Sequence, residues 1–214
     1  MALPAESMAG ARVLDVGCRR GKGCYKLSEA VGAEGLVVGL DWDRENLEAA
    51  ERGVPRALER SGLAESNMVF AFGYPENLAP VAVQYGPFDY LFANSIINLS
   101  RNMPRFFYEA HDALRPGGKL VLDIVVAPGI WRGAADMRAL ELGNAVQAAT
   151  SQRMLEGYLR DAHFASWTVE LLEPVHPSEG FDADHPAPFW PDDPGLDGFR
   201  RARIEAVASA SGRR

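Results

Sequence analysis

The chain has 214 residues, 47% hydrophobic and 24% charged, with a formal net charge of −7 at pH 7. That length suits one domain with a full core and a small appendage, and the acidic balance excludes a nucleic-acid surface, which needs clustered Lys and Arg to displace counterions. No apolar run approaches the ~20 residues of a membrane span, the N-terminus has no basic-then-apolar leader pattern, and two cysteines make no disulfide framework, so a reducing cytoplasm is the expected setting.

In chain order, Arg12 to Val16 is an apolar run of strand type that stops at a glycine-rich turn. Little chain precedes it, and no large N-terminal lid is expected. Lys22 to Val31 is compatible with helix and ends at Gly32. Leu36 to Leu40 is a second apolar strand ending in Asp41. Arg44 to Arg60 is helical in composition, with Gly53 and Pro55 expected to bend or interrupt it. Asn67 to Phe72 is a third strand and Phe88 to Asn94 a fourth. Pro104 to Leu114 reads as a helix with proline in its first turn. Arg115-Pro-Gly-Gly118 is a hard stop before the apolar strand Lys119 to Val126. Helical stretches follow at Ala134 to Thr150 and Ser151 to His163, then a strand at Trp167 to Leu172. The chain from Pro174 to Gly198 is rich in proline and acid and reads as a lid, an arm or a tail; Phe199 to Ala208 reads as a short helix. The expected division is residues 1–173 as one domain and 174–214 as a C-terminal segment.

Strands alternating with helices, several of them continuously apolar, indicate a doubly wound α/β fold with a mostly parallel central sheet and helices on both faces. In such sheets the ligand lies beyond the carboxyl ends of the strands. The residues there are Asp15 to Gly21, Asp41 and Trp42, Gly73 to Glu76, Asn94 and Ser95, and Asp123 to Ala127; the first four sets are polar residues or glycines. The turn glycines stand at positions 17, 21 and 23, so the dinucleotide spacing G-x-G-x-x-G is absent and a nicotinamide dehydrogenase is not the reading. His111, His163, His176 and His185 show no metal spacing and read as surface or cap residues; no metal ligands are identified.

Three stretches together resemble the class I S-adenosylmethionine-dependent methyltransferases, a Rossmann-like family: Val13-Leu-Asp-Val-Gly-Cys18, Gly39-Leu-Asp41 and Leu114-Arg-Pro-Gly-Gly-Lys-Leu-Val-Leu122. Within that family, Gly23 to Ser28, Phe72 to Leu78 and Asn94 to Leu99 are most similar to arsenite methyltransferases. The resemblance implies S-adenosylmethionine as cofactor and a small-molecule methyl acceptor. Asp15 with Gly17, Cys18 and Gly21 would hold the methionine portion, and Asp41 the ribose hydroxyls. Trp42, with Gly73 and Tyr74, would flank the adenine. Asn94, Ser95, Asn98 and Glu141 would stand near the reacting methyl and the acceptor.

The sequence departs from the family at two places. Arg19 stands where the family turn has a glycine. Ser95 and Glu141 stand where arsenite methyltransferases place cysteines; only Cys24 matches, and a hydroxyl and a carboxylate are hard ligands for soft As(III). The implied acceptor is therefore not arsenite. The rival is a fold kept without catalysis, a cofactor-binding or interaction module; a homodimer is left open.

Overall fold

The computed structural model describes residues 3–94, 96–128, 148–175 and 198–210. In chain order the elements are β1 (Arg12–Val16), α1 (Lys22–Val31), β2 (Leu36–Asp41), α2 (Arg44–Ser61), β3 (Met68–Phe72), α3 (Ala79–Tyr85), β4 (Phe88–Asn94), a 3-10 turn (Ile97–Leu99), α4 (Met103–Ala113), β5 (Leu114–Ala127), β6 (Thr150–Ser151), α5 (Gln152–Asp161), β7 (Phe164–Pro174) and β8 (Arg200–Ala208). The strands lie in the order β3-β2-β1-β4-β5-β8-β7, with β6 beside β5. From β1 to β5 the ladder is parallel, and β8 runs antiparallel to both β5 and β7. The chain winds from β1 outward to β3, then returns to lay β4 on the other side of β1. The crevice at the carboxyl ends of β1 and β4 is thus the switch point, where such sheets take their ligands.

Alternate residues of the central strands enter two cores. Val13, Val37, Phe92 and Val121 meet Cys24, Leu27 and Val31 of α1 and Leu47 and Ala57 of α2. Leu14, Val16, Val38, Leu91, Leu120 and Leu122 meet Val81 of α3, Phe106 and Phe107 of α4, and Leu155 and Leu159 of α5. This two-sided burial is why the strands read as continuous apolar runs. Among the described residues no helix is long and apolar enough to cross a membrane.

Several expectations need correction. Phe199 to Ala208 is not a helix: Arg200–Ala208 is β8, with Ala202, Ile204, Ala206 and Ala208 buried between polar or half-buried neighbours. That is a period of two, and small buried alanines masked it. The strand sits between β5 and β7, so the expected boundary at residues 173 and 174 divides strands that pair in one sheet. The stop at Arg115 to Gly118 is a bulge: Phe88 pairs Leu114, then Tyr90 pairs Lys119. Helix α2 runs through Gly53 and Pro55 as one element. At Gly53 a side chain would collide with the Tyr25 ring, whose hydroxyl donates to the Ala50 carbonyl at 2.7 Å in that turn. Helix α3 was not expected; at 7 residues, with Leu78 supplying no capping side chain, it gives little signal. His111 is buried rather than exposed, its ring edge-on to Phe164 and within hydrogen-bond reach of Asp112 and Ser209. Both Ala134 to Thr150, for its greater part, and most of the proline-rich segment lie outside the described residues.

Candidate cofactor site

The turn between β1 and α1 is fastened to the end of β2 by its main chain. The amides of Gly17 and Cys18 both donate to the Leu40 carbonyl, at 2.8 and 3.0 Å. The Arg19 amide donates to Asp41 Oδ2 at 2.8 Å, and Asp43 N donates to Oδ1 at 2.9 Å. Asp41 is only 2% exposed, so this carboxylate is a structural post of the turn as well as a candidate ligand. Gly17, Arg19 and Gly21 all take positive φ, at 73°, 51° and 77°. Arg19 thus adopts the left-handed conformation that glycine holds without steric cost. Helix α1 follows at once, and no side chain caps its N-terminus.

Behind the turn lies Asp15, 3% exposed. Burial pushes its carboxyl up to about 7, against the opposing effect of a 3.4 Å bond donated by the Cys24 thiol. Cys18 and Cys24 are both buried and free. Cys24 is raised well above the ordinary thiol range by its bond with Cys18, by burial and by Asp15. Gly39, in register with Asp15, makes room for them: a Cβ there would fall 2.8 Å from the Cys24 sulfur and 2.9 Å from that of Cys18.

In front of the turn opens a cleft of about 530 Å³. Its walls are Asp15 and Asn94 from the sheet, Asn46 from α2, and Gly17, Cys18, Arg19, Arg20, Lys22 and Gly23 from the turn and α1. An acid on the floor and cations at the helix end give the cleft both signs of charge despite the acidic chain. Asp15, Gly17, Cys18 and Asn94 are therefore brought together as the sequence suggested. Gly21 leads into α1, where a Cβ would meet Ala50 and the Tyr25 ring.

Asp41, Trp42, Gly73 and Tyr74 gather at the adjoining ends of β2 and β3, where Gly73 N donates to the Asp41 carbonyl at 3.0 Å. Trp42 and Tyr74 are 37% and 52% exposed, rings open to a flat partner. Tyr74 stands edge-on to Phe72, and the Arg44 guanidinium covers the Phe72 ring at 4.4 Å. Asn98 does not face the cleft with its amide: Nδ2 donates to the Val125 carbonyl at 2.9 Å and Oδ1 accepts from Val125 N at 3.0 Å. Ser95 and Glu141 lie outside the described residues.

No role was read from sequence for Arg20, Lys22 or Asn46, or for the partner of the strand-end residue Asp123. Arg20, Lys22 and Asn46 were legible only as polar residues near a strand end. Asp123 stands in register with Asn94 and is paired with Arg203, whose Nε and Nη2 both lie 3.2 Å from Asp123 Oδ1. Nothing in the sequence places Arg203, because its strand was read as a helix.

The family described as "Methyltransferase domain" matches residues 7–163. The chain belongs to this methyltransferase domain family. Among curated relatives, the arsenite methyltransferase of Aquipseudomonas alcaligenes is 40% identical over 118 residues, 55% of this chain and 34% of that protein. The human arsenite methyltransferase is 33% identical over 115 residues, 54% of this chain and 31% of that protein. This methyltransferase domain thus spans about a third of the length of those relatives. Among solved structures, CrArsM, an arsenic(III) S-adenosylmethionine methyltransferase from Chlamydomonas reinhardtii, superposes with a TM-score of 0.75 at 25% identity, covering 97% of this chain and 65% of that one. Phosphoethanolamine N-methyltransferase 2 of Haemonchus contortus, solved with S-adenosyl-L-methionine, shares the fold, with a TM-score of 0.64 at 17% identity over 97% of this chain and 50% of that one. The resemblance read from the three motif stretches, and the doubly wound fold it implied, are borne out.

Proposed function

We propose that this methyltransferase domain binds S-adenosylmethionine at the carboxyl ends of β1, β2 and β4 and passes its methyl group to a small-molecule acceptor other than arsenite. The observation that carries the reading is the donor set of the cleft. A buried acid, Asp15, sits within one cavity wall of the uncapped α1 N-terminus, Arg20 and Lys22. That pairing suits a zwitterion: ionised Asp15 accepts from the ammonium, while the helix end and the cations face the carboxylate. Each Asp41 oxygen already holds one amide and keeps lone-pair capacity for a ribose hydroxyl. The exposed rings of Trp42 and Tyr74 offer flat apolar surface for the adenine. When bound, the cofactor supplies an electrophilic methyl on a sulfonium. The chain's task is then alignment and exclusion of water: Asn94 stands at the cleft wall where β4 ends, and the buried strand ends behind it keep the region dry.

The exclusion of arsenite rests on the thiols. As(III) is soft and takes thiolates. Cys24, the one cysteine that matches the arsenite enzymes, is buried, protonated by its environment and already donating to Asp15. Ser95 and Glu141 stand where those enzymes have the others. Two buried free thiols are also in keeping with a reducing cytoplasm.

Calorimetric titration with S-adenosylhomocysteine tests the cofactor half, and no heat of binding at millimolar ligand would refute it. Incubation with arsenite, a thiol reductant and S-adenosylmethionine tests the acceptor half. Methylated arsenic formed at the rate of an arsenite methyltransferase control would overturn the exclusion.

A further inference from the structure

The loop that follows β4 is fastened at three points, each to a different strand end. Ile96 lies on the glycine-rich turn: three of its side-chain carbons are 2.8 to 3.0 Å from where a Gly17 Cβ would stand. Asn98 uses its side-chain amide as a strand uses its main chain. β4 pairs with one edge of β5 as far as Asp123, and β6 resumes that pairing at Val126; the Asn98 amide holds the Val125 N–H and carbonyl between them. The third fastening is Glu76, from the loop after β3. Its Oε1 accepts from Ser100 Oγ, from Arg101 N at 3.0 Å and from Asn102 N at 3.4 Å. Arg105 Nε, one turn into α4, donates back to the Glu76 carbonyl at 3.1 Å. Without this carboxylate the amides that lead into α4 would need other partners.

The cofactor turn and the loop after β4 therefore meet at Ile96. We propose that Glu76 and Asn98 are positioning residues for methyl transfer: they hold the 96–102 loop so that Ile96 stays seated on Gly17, which couples ligand uptake in the turn to the order of the acceptor loop. This rests on the cofactor reading above. Neither residue touches the transferred group, and both act through the loop. In-line displacement loses rate steeply with small misalignment, so the value of the fastening is geometric.

The test uses amide hydrogen exchange over residues 96–102 and calorimetric titration with S-adenosylhomocysteine, on the full chain and on Glu76→Ala, Glu76→Gln, Asn98→Leu and Ser100→Ala. In the unsubstituted chain, S-adenosylhomocysteine slows exchange across the loop. Glu76→Ala and Asn98→Leu speed loop exchange about tenfold or more and weaken the ligand about three- to tenfold. Glu76→Gln keeps an oxygen acceptor of the same reach and recovers most of that affinity. Ser100→Ala removes one donor and gives the same shifts at smaller size, which serves if Glu76→Ala fails to fold. Faster loop exchange with ligand affinity within about twofold of the unsubstituted chain would overturn the proposal, leaving the residues as local fastenings only. If the unsubstituted chain takes up no S-adenosylhomocysteine, the cofactor reading itself falls and this proposal with it.

Discussion

Asp41→Asn separates the two amide bonds that Asp41 accepts in the turn from the ribose contact proposed for it. Asp41 accepts the Arg19 amide at 2.8 Å and the Asp43 amide at 2.9 Å. Asparagine keeps the shape and one acceptor oxygen, but its NH₂ arm then meets an amide N–H that also donates. The loss combines one hydrogen bond to a charged acceptor, about 1.5–3 kcal/mol, with the cost of a buried unpaired donor, about 1–3 kcal/mol. Both describe the same broken contact, so the expected destabilisation is about 2–4 kcal/mol rather than their sum. In a chain of 214 residues that lowers the Tm by about 4–16 °C. Urea unfolding without ligand reads the first duty, as a lower midpoint at unchanged slope. Titration with S-adenosylhomocysteine below the variant's transition reads the second, with affinity expected to fall about 10- to 100-fold. Stability within about 0.5 kcal/mol of the parent, with affinity intact, would refute both duties. A destabilised variant that binds normally would leave Asp41 as the post of the turn and remove it from the ribose.

Asp15 gives a pH dependence of fixed sign. Its folded-state pKa of about 7 lies above the 3.8 of the unfolded chain, so the folded form keeps a proton that the unfolded form releases. Its contribution to stability is full below about pH 4, falls by at most about 4 kcal/mol as pH rises to about 7, and is level above; urea unfolding of Asp15→Asn should lack that fall. Uptake of S-adenosylhomocysteine needs the ionised form and should tighten by up to tenfold per unit as pH rises toward about 7, which calorimetry at about pH 5.5, 6.5 and 8 will read. Arg19→Gly relieves about 1 kcal/mol of left-handed strain against a similar loss in backbone entropy, so urea stability should stay within about 1 kcal/mol. Ligand affinity should not drop, because Arg19 acts through its amide; a fall above about tenfold would show that the guanidinium itself grips the ligand. Gly17→Ala adds a Cβ at φ 73° against Ile96 and should cost roughly 2–4 kcal/mol. Ile96→Ala in the same chain should recover the packing part, read as a double-mutant cycle.

The parallel half of the fold was legible because β1, β2 and much of β4 and β5 are buried on both faces, and β1 to β4 each stop at a polar residue or a glycine. Asp15, Gly17, Cys18 and Asn94 came out together for the same reason: strand ends at a switch point are neighbours in space. In the antiparallel half, β7 was legible as a strand at Trp167 to Leu172, but β8 was not. In β8 the core face is carried by Ala202, Ala206 and Ala208 around Ile204, and alanine among Arg and Glu carries helix propensity as strongly as any strand signal. Asn98 was misplaced because a sequence gives an amide but not its direction, and here that amide completes a strand edge. Glu76 lay inside a recognised motif stretch without a role, since its partners, Ser100 to Asn102, are distant in the chain. Arg19 showed only that a glycine was missing; the structure shows the backbone keeping the glycine conformation regardless.

The late strand inserted between β5 and β7 has a kinetic consequence. Asp123 and Arg203, which pair across β5 and β8, are 80 residues apart in the chain. Until β8 has been synthesised, β5 has a bare edge and β7 has no neighbour to join, whatever the state of the strands already laid down. Half-made chains therefore carry an unpaired ladder that invites other chains. A long-range closure of this kind is also slow to find. Chains shortened before residue 200 should accumulate as aggregates rather than as a smaller folded domain.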